Sequence, residues 1–265
     1  MTQKTALIDA DILTYMFGFA HEETYDFDGD GDPAAVADYE AAAEHIDNEV
    51  LYYQDQTGAD DVVVALSDKD HPNWREAFLS SYKANRSDSR PPLLYWDLRQ
   101  YIIDTYPTYI RPALEADDVL GILSTSTKAI PGKKCIVSTD KDFWTIPGWL
   151  WDPRNHKDQK PVKVSRPDAD YWHLYQTLTG DQIDNYKGCP GIGPKKAEKL
   201  LMEHWDPEEM NVAEAWEVIV AAFKKKGLTE DDALVQARVA RICRKEDFDF
   251  KNKQVIPWTP PENED

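Results

Sequence analysis

Three apolar runs of the chain each end in an aspartate. The runs are Thr5–Asp9, Val62–Asp68 and Cys135–Asp140. Short, uninterrupted apolar runs of this kind are typical of buried strands in a parallel sheet, and the ligands of such sheets bind beyond the carboxyl ends of the strands. We therefore expect Asp9, Asp68 and Asp140 to meet in one crevice, where their mutual repulsion calls for bound divalent cations.

More carboxylates lie at the predicted edges of helices and strands. They are Glu115, Asp117 and Asp118 at a helix start, Asp142 just after the third strand, and Asp181 and Asp184 after a later helix. Each group by itself also fits a helix cap, an Asx-turn or a solvated loop. Together with the strand-end aspartates they make nine carboxylates, and so many acids in one crevice predict two Mg²⁺ or Mn²⁺ ions suited to phosphodiester cleavage.

A different kind of acidic segment lies at Asp26–Asp32. It matches the beginning of an EF-hand calcium loop, including the glycine. The last position of such a loop should be a bidentate glutamate, but here it is Ala37. We therefore interpret this segment as a solvated acidic loop and not as a calcium site.

The segment Gly188–Ala197 is the most specific local motif of the chain. Gly191 and Gly193 allow a tight turn, Pro194 suits the first turn of a helix, and the free N–H groups of that turn can bind a phosphate. Positive charge is added by Lys195, Lys196 and Lys199. This is the helix–hairpin–helix pattern, and it predicts contact with backbone phosphates, not bases. The alternative is a plain Gly/Pro connector between helices.

The overall charge argues against a general affinity for nucleic acid. The chain has 49 acidic and 30 basic residues, and its formal net charge is -19. The basic residues are clustered, however, at residues 69–90, 187–199 and 224–226. In the first cluster, Tyr82 lies beside Lys83 and Arg86, a combination that suits single-stranded nucleic acid through stacking and phosphate contact. An ordinary exposed helix end is the alternative.

The pattern of elements predicts an α/β domain over residues 1–165 and a helical domain over 166–265. Apolar strand runs alternate with helical patterns at about 34–53, 93–106 and 115–130, which favours a mainly parallel sheet flanked by helices. Helical patterns then follow at about 168–178, 194–204, 213–226 and 231–243, with one short strand at 254–258. The Pro-rich, acidic tail Pro257–Asp265 is expected to be disordered.

Cysteine use and hydropathy indicate the compartment. The three cysteines are far apart and form no C-x-x-C pair, so a reducing cytoplasm is expected, without disulfides or a zinc site. No apolar run approaches the ~20 residues that span a membrane, and a signal peptide is not expected.

In order and spacing, these motifs resemble the flap endonuclease / 5′→3′ exonuclease superfamily, and its bacteriophage exonucleases above all. The matching segments, which cover about residues 4 to 205, are Leu7–Asp9, Asp68, Tyr82–Arg86, Glu115–Asp118, Ser138–Asp142, Gly180–Asp184 and the glycine hairpin. The resemblance implies a PIN-like nuclease core with a helical arch at about 69–106. It also implies a helix–three-turn–helix at about 181–204 that grips duplex DNA. The segment Asp26–Pro33 and the residues beyond about 205 depart from the family.

The resemblance further implies roles for single residues. The first ion would be held by Asp9, Asp68, Glu115, Asp117 and Asp118, and the second by Asp118, Asp140, Asp142, Asp181 and Asp184. The catalytic residues would be Asp118 with Lys83 and Arg86, which hold the scissile phosphate. DNA would be bound by Tyr82, Lys83, Arg86, Arg90, Gly191, Gly193, Lys195, Lys196 and Lys199. The role of Asp11 stays open.

The implied substrate is double-stranded DNA with 5′ ends or flaps, with RNA:DNA hybrids as a further substrate. The family also implies a K⁺ ion at the hairpin carbonyls of some members. We expect a monomer with no membrane partner, located in the bacterial host cytoplasm if the chain is phage-encoded.

Other function classes explain less of the chain. A haloacid-dehalogenase-type phosphatase would use Asp9 and Asp11 as its nucleophile motif and Gly180–Asp184 as its metal motif, but here the second motif leads into a phosphate-binding hairpin. A non-catalytic DNA-binding protein would need the hairpin alone and would leave nine carboxylates without a role. A PIN-type ribonuclease shares the sheet but lacks the hairpin domain.

Overall fold

A six-stranded sheet forms the centre of the first part of the chain. The computed structural model describes residues 2–25, 34–86, 90–155, 160–202 and 211–262, so the EF-hand-like segment Asp26–Asp32 lies outside the described residues. The sheet has the strand order β5-β4-β1-β6-β7-β8. All neighbouring pairs are parallel except β7 and β8. The predicted α/β class with a mainly parallel sheet is confirmed.

The elements have the following bounds in the described ranges. The strands are β1 (Lys4–Asp9), β2 (Glu22–Tyr25), β3 (Ala34–Ala37), β4 (Asp61–Ala65), β5 (Thr108–Tyr109), β6 (Lys133–Val137), β7 (Gly148–Trp151), β8 (Val162–Val164), β9 (Phe248–Asp249) and β10 (Gln254–Val255). The helices are α1 (Ala10–Ala20), α2 (Tyr39–Thr57), α3 (Tyr95–Thr105), α4 (Ala116–Thr125), α5 (Arg166–Thr179), α6 (Pro194–Met202), α7 (Val212–Lys224) and α8 (Glu230–Ala240). None of these helices has the length and apolar character needed to cross a bilayer.

The sheet is buried on both faces, which explains its uninterrupted apolar strands. On one face, Leu7 of β1 packs with residues of α4 such as Leu120. On the other face, Ile8 packs with residues of α1 and α2 such as Leu13 and Ile46. Because β1 lies between β4 and β6, the ends of these three strands are neighbours at one edge of the sheet.

Several element predictions were wrong. Helix α1 was missed because its apolar residues occupy most of its circumference, so the run carries no clear helical period. Residues 34–37, predicted as helix, form β3, which pairs with β2. Helix α4 ends at Thr125 and α8 at Ala240, each shorter than predicted. The segment at about 69–106, for which the resemblance implies an arch, contains 3₁₀ turns at Trp74–Ala77 and Ala84–Arg86, followed by α3. The bounds of the arch stay a prediction.

The four helices after residue 165 share a core of their own, built around residues such as Leu174, Trp216 and Phe223. The chain after α8 then returns to the sheet, where Ile242 and Cys243 join the cluster of α4. This contact is close, because a Cβ at Gly121 of α4 would lie 2.3 Å from the carbonyl oxygen of Cys243. The segment after α8 thus packs on the α/β part of the chain, and the division into two domains at residue 165 stays a prediction.

The predicted disorder of the tail is wrong at its beginning. The indole of Trp258 packs edge-on against His173 and Trp216, at centroid distances of 5.0 and 5.3 Å. Its carbonyl oxygen also accepts a hydrogen bond of 3.1 Å from Arg238. The composition of the tail predicted that it is solvated, but the large aromatic side chain of Trp258 packs against apolar and aromatic residues of the helices. Residues 263–265 lie outside the described residues.

The buried His173 should make the protein less stable in mild acid. Its Nε2 lies 2.8 Å from the carbonyl oxygen of Ala237, and burial together with Arg241 holds the pKa of His173 well below its ordinary value. The unfolded chain binds a proton here below about pH 6.5, while the folded chain does not, so the free energy of unfolding should fall with decreasing pH by up to about 1.4 kcal/mol per unit.

Urea unfolding from neutral to mildly acidic pH measures this effect. The control is His173→Gln, whose amide can still donate to Ala237, and it should show a shallower loss of stability. Equal pH slopes for the two proteins would contradict the assignment.

Candidate active site

One pocket of about 540 Å³ lies where the predicted crevice was expected, at the carboxyl ends of β1 and β6 and the start of α4. Its acidic lining residues are Asp9, Asp11, Glu115, Asp117, Asp140 and Asp184. Its basic lining residues are Lys69, Lys83 and Arg86. Asp142 and Asp181 lie beside the pocket, joined by Lys141. The structure thus brings together seven of the nine predicted carboxylates.

Asp9 is the most deeply buried acid of the pocket. Its residue is only 6% exposed, and its Oδ1 has no hydrogen-bond partner among the described residues. Burial, together with repulsion from Asp11 and Asp140, raises the pKa of Asp9 to about 8. A buried carboxylate oxygen without a partner is costly, so Asp9 fits a site for a positively charged ligand.

Asp117, like Asp9, is a buried acid whose charged form is disfavoured by its surroundings. Burial and the nearby Asp9 and Asp140 raise the pKa of Asp117 well above its ordinary value. In the described residues, no set of three or more acidic, histidine or cysteine side chains already has metal-site geometry. The unpaired oxygen of Asp9 and the repulsion among these three aspartates nevertheless fit a hard, oxygen-ligated divalent cation.

Glu115 and Asp184 hold two basic side chains, Lys83 and Arg86, at one side of the pocket. Lys83 Nζ donates to Glu115 and lies 3.6 Å from Asp184, and Arg86 lies 2.5 Å from Asp184. Burial raises the pKa of Glu115, but Lys83 and Arg75 outweigh it and bring this pKa to about 2. Lys83 has a φ of +53°, a conformation that costs a lysine energy, and its N–H donates to the Asp184 carbonyl at 2.9 Å. Lys83 and Arg86 are therefore held at the pocket by its own acids.

Lys141 occupies the space between two predicted ligands of the second ion. Its Nζ lies 2.8 Å from Asp142 and 2.8 Å from Asp181. Gln176 also donates to Asp142 at 2.6 Å. The Lys141 side chain is 66% exposed, so solvent reaches the ion pairs that it forms with these two acids.

The structure argues against Asp118 as a metal ligand or catalytic residue. Asp118 is fully buried. Both of its oxygens bind the guanidinium of Arg75, at 2.7 and 2.8 Å. Trp74 Nε1 and the N–H of Cys243 donate to it as well, each at 3.0 Å. Its hydrogen-bonding capacity is used within the fold, so the sequence prediction for Asp118 is corrected to a structural role.

Asp68 is also used within the fold. Its carboxylate accepts hydrogen bonds from the N–H groups of Ala113 at 2.7 Å and Asp70 at 3.1 Å. The Nδ1 atom of His71 lies 2.7 Å from Asp68 Oδ2. These bonds fix the loop before α4, and Asp68 does not line the pocket. The predicted role of Asp68 as a metal ligand is therefore not supported by the geometry.

Tyr82 cannot stack on a base as predicted. It is 6% exposed, and its hydroxyl lies within hydrogen-bonding distance of Glu115, at 3.0 Å, and of Asp184, at 3.1 Å. One face of its ring is covered by Arg75, at 5.6 Å. Tyr82 instead joins the two acids that hold Lys83. Arg90 pairs with Glu22 at 3.1 Å, and its role in DNA binding stays a prediction.

The glycine hairpin connects α5 to α6. Gly180 and Gly188 lie back to back at its base, since a Cβ on Gly180 would be 2.5 Å from the Gly188 nitrogen. Gly191 has a φ of +74°, and nothing lies within 4 Å of where a Cβ on Gly193 would be. The turn thus has open space at its tip, next to the N-terminus of α6. Lys195 and Lys199 are exposed on that helix, and Lys196 Nζ donates to the Gly191 carbonyl at 2.9 Å.

Comparison with known proteins gives the family. Residues 4–148 match the model of the N-terminal, resolvase-like domain of 5′→3′ exonucleases. The chain belongs to this family. The prediction of a nuclease is confirmed, and the phosphatase and non-catalytic alternatives are wrong.

Curated relatives of this nuclease have exonuclease and flap endonuclease names. The exodeoxyribonuclease of Enterobacteria phage T3 is 30% identical over 225 residues, which cover 74% of this chain and 73% of the relative. The exonuclease of Escherichia phage T7 is 31% identical over 227 residues, 74% of each chain. A flap endonuclease of Vibrio campbellii is 30% identical over 213 residues, 71% of this chain and 75% of the relative.

Solved structures confirm the fold. A bacteriophage T5 protein co-crystallised with metal ions has a TM-score of 0.61 and 17% identity, and the match covers 90% of this chain and 89% of that one. The bacteriophage T5 flap endonuclease in a complex with DNA and metal ions has a TM-score of 0.62 and 15% identity, with the same coverage.

Sequence reasoning missed three kinds of site residue in this nuclease. The unassigned Asp11 lines the pocket and accepts from the Ser67 N–H at 3.1 Å. Arg75 was noted only as one of several basic residues, yet it binds Glu115 at 3.1 Å in addition to Asp118. The apolar wall of the pocket comes from α1. The i, i+3, i+4 spacing of its partly or fully exposed apolar residues is visible in the sequence once the helix is known. The wall consists of Ile12, Tyr15, Met16 and Phe19.

Proposed function

We propose that this nuclease hydrolyses phosphodiester bonds of DNA at 5′ ends and flaps, with two Mg²⁺ or Mn²⁺ ions at the carboxylate pocket. Asp9, Glu115, Asp117 and Asp140 would hold the first ion. Asp140, Asp142, Asp181 and Asp184 would surround the second, with Lys141 displaced. Such ions, when bound, activate water and stabilise the leaving oxygen.

The observation that carries this proposal is the unpaired Oδ1 of Asp9. It lies in a pocket where burial and the repulsion of Asp9 and Asp140 also raise the pKa of Asp117 well above its ordinary value. A pocket built only for stability would pair these acids, as the fold does for Asp118. All these side chains come from one chain, which supports action as a monomer.

Lys83 and Arg86 supply positive charge at the pocket that is independent of metal. Their ammonium and guanidinium groups lie against Glu115 and Asp184, so they are oriented before substrate arrives. A cation fixed in advance stabilises negative charge developing on a phosphate at little reorganisation cost. We propose that both contact the scissile phosphate.

The exposed face of α1 offers a surface for unpaired bases. Tyr15 and Phe19 are 41% and 47% exposed, and their ring centroids are 6.4 Å apart. Tyr15 also contacts Tyr95 at 5.1 Å, so its ring is held in place from one side. Base–aromatic stacking tolerates any sequence, as an exonuclease requires.

The hairpin supports contact with duplex DNA farther from the pocket. Its open tip and the start of α6 suit a backbone phosphate, and Lys195, Lys196 and Lys199 add charge there. A K⁺ ion at the hairpin would compete with Lys196 for the Gly191 oxygen, so K⁺ is not part of the proposal.

Digestion of 5′-labelled substrates tests the proposal directly. Blunt duplex and 5′-flap DNA should be cut in Mg²⁺ or Mn²⁺, with products released from the labelled end. Cleavage should stop in excess chelator and return when Mg²⁺ is restored. Robust cutting in chelator would overturn the metal assignment, and an RNA:DNA hybrid in the same assay tests the further predicted substrate.

Removing the ring of Tyr15 should weaken binding of DNA with unpaired 5′ bases. We expect Tyr15→Ala to cost about 1–3 kcal/mol of binding free energy, the range for one base–aromatic stack, and Tyr15→Phe to restore it. Binding is measured by fluorescence anisotropy in chelator, with a blunt duplex as the control substrate. The stacking role is wrong if both variants lose equal affinity, or if the blunt duplex is affected as strongly as the flap.

A further inference from the structure

A groove of about 560 Å³ lies between the hairpin, α6 and the C-terminal end of α7. Its floor is apolar and contains Ile192, Leu200, Val218, Ala221 and Ala222. Its rim carries Lys196 and Lys199 from α6, and Lys225 and Lys226 from the end of α7. The two helices therefore place lysines on opposite sides of one groove, although these residues are about 30 positions apart in the sequence.

Lysines from both helices converge on the hairpin turn. Lys196 Nζ donates to the Gly191 carbonyl at 2.9 Å. From the other side, Lys226 Nζ lies 3.5 Å from the place where a Cβ on Gly191 would be. Gly191 itself is exposed, so the two ammonium groups flank a backbone turn that is open to solvent.

Lys225 and Lys226 carry positive charge that no acidic residue in the described part of the chain neutralises. No acidic residue is among the lining residues of the groove, and Lys225 and Lys226 form no ion pair with any described residue. In a chain of net charge -19, such a local concentration of lysines favours a polyanion. Lysines at a helix C-terminus also stabilise the helix dipole, but that effect does not explain why Lys226 extends to the hairpin.

The composition of the groove distinguishes between kinds of nucleic acid. Its lining includes no aromatic ring, so it lacks the stacking surface that single strands use. It does have lysines at a phosphate-binding turn, and contacts of that kind fix a duplex without reading its sequence.

We propose that Lys225 and Lys226 are duplex-binding residues that extend the hairpin surface onto α7. They bind backbone phosphates of double-stranded DNA next to those held by the hairpin and α6. This assigns a role to part of the region beyond residue 205. The inference rests on the proposed function, because it concerns the same DNA substrate.

Equilibrium binding of a short blunt duplex, followed by fluorescence anisotropy in excess chelator over a salt series, tests this proposal. The variant is Lys225→Ala with Lys226→Ala. The matched control is Lys224→Ala, which removes an exposed charge from the same triplet that does not line the groove. The double variant should lose roughly one unit of log–log salt slope for each lost phosphate contact, and the control should keep the wild-type slope.

Three results would overturn the proposal: an unchanged slope in the double variant, an equal change per lysine in the Lys224→Ala control, or an equal loss of affinity for an unstructured single strand. The last result would mean a general attraction to polyanions. Cleavage in Mg²⁺ is measured separately. A wild-type protein that binds duplex but never cuts it would contradict the proposed function alone, whereas a cutting enzyme with an unchanged salt slope would contradict the α7 surface alone.

Discussion

Asp118→Asn should destabilise the metal-free protein by about 3–5 kcal/mol, the usual effect of removing one partner of a buried ion pair. Asp118 and Arg75 are both buried, and the guanidinium binds both carboxylate oxygens. The substitution keeps the shape of the side chain but leaves Arg75 without most of its counter-charge. Glu115, 3.1 Å from Arg75, can compensate only in part. Urea unfolding in chelator measures the difference.

The loss of stability in Asp118→Asn should also weaken the contact of Arg75 and Asp118 with the end of α8 and the segment after it. Arg75 also donates to the carbonyl oxygens of Val239 and Arg241, at 3.0 and 2.7 Å. The N–H of Cys243 donates to Asp118. Hydrogen exchange should therefore accelerate in the segment after α8 as well as in the first turn of α4. A variant as stable as wild type would contradict the structural role of Asp118 and return it to the list of candidate metal ligands.

Asp117→Asn should have the opposite effect on stability and the larger effect on catalysis. Burial and the repulsion of Asp9 and Asp140 disfavour the charged form of Asp117. Replacing its carboxylate with an amide should therefore raise the unfolding temperature of the metal-free protein. The same change removes a metal ligand, so we expect cleavage at saturating DNA to fall by at least about 100-fold.

The two neighbouring substitutions control for each other, because each replaces one carboxylate of the same helix start with an amide. Thermal unfolding in chelator and single-turnover cleavage in Mg²⁺ are measured for both. If Asp117→Asn lowers stability, or cuts DNA at the wild-type rate when Mg²⁺ is limiting, Asp117 is not a metal ligand of the kind proposed here.

The sequence determined the sheet and the general place of the site. The β-branched runs at β1, β4 and β6 require burial on both faces, and that requirement makes them neighbouring parallel strands. Asp9 at the end of β1 and Asp140 after β6 then meet at one edge, as predicted. The glycine hairpin was also evident, because its turn needs glycine at defined positions.

Only the tertiary structure decided which acids face the pocket. Asp117 and Asp118 are adjacent, chemically identical and equally plausible as ligands in sequence. One faces Asp9 and Asp140, while the other faces Arg75, which comes from a 3₁₀ turn 43 residues earlier in the chain. Tyr82 is a similar case. Its ring could bind DNA or join the core, and Arg75 together with the C-terminal end of α8 buries it. Spacing along the chain specifies which residues share a helix face. The charged groups that contact a given carboxylate, however, come from other segments of the chain, and only the packing of those segments determines which groups they are.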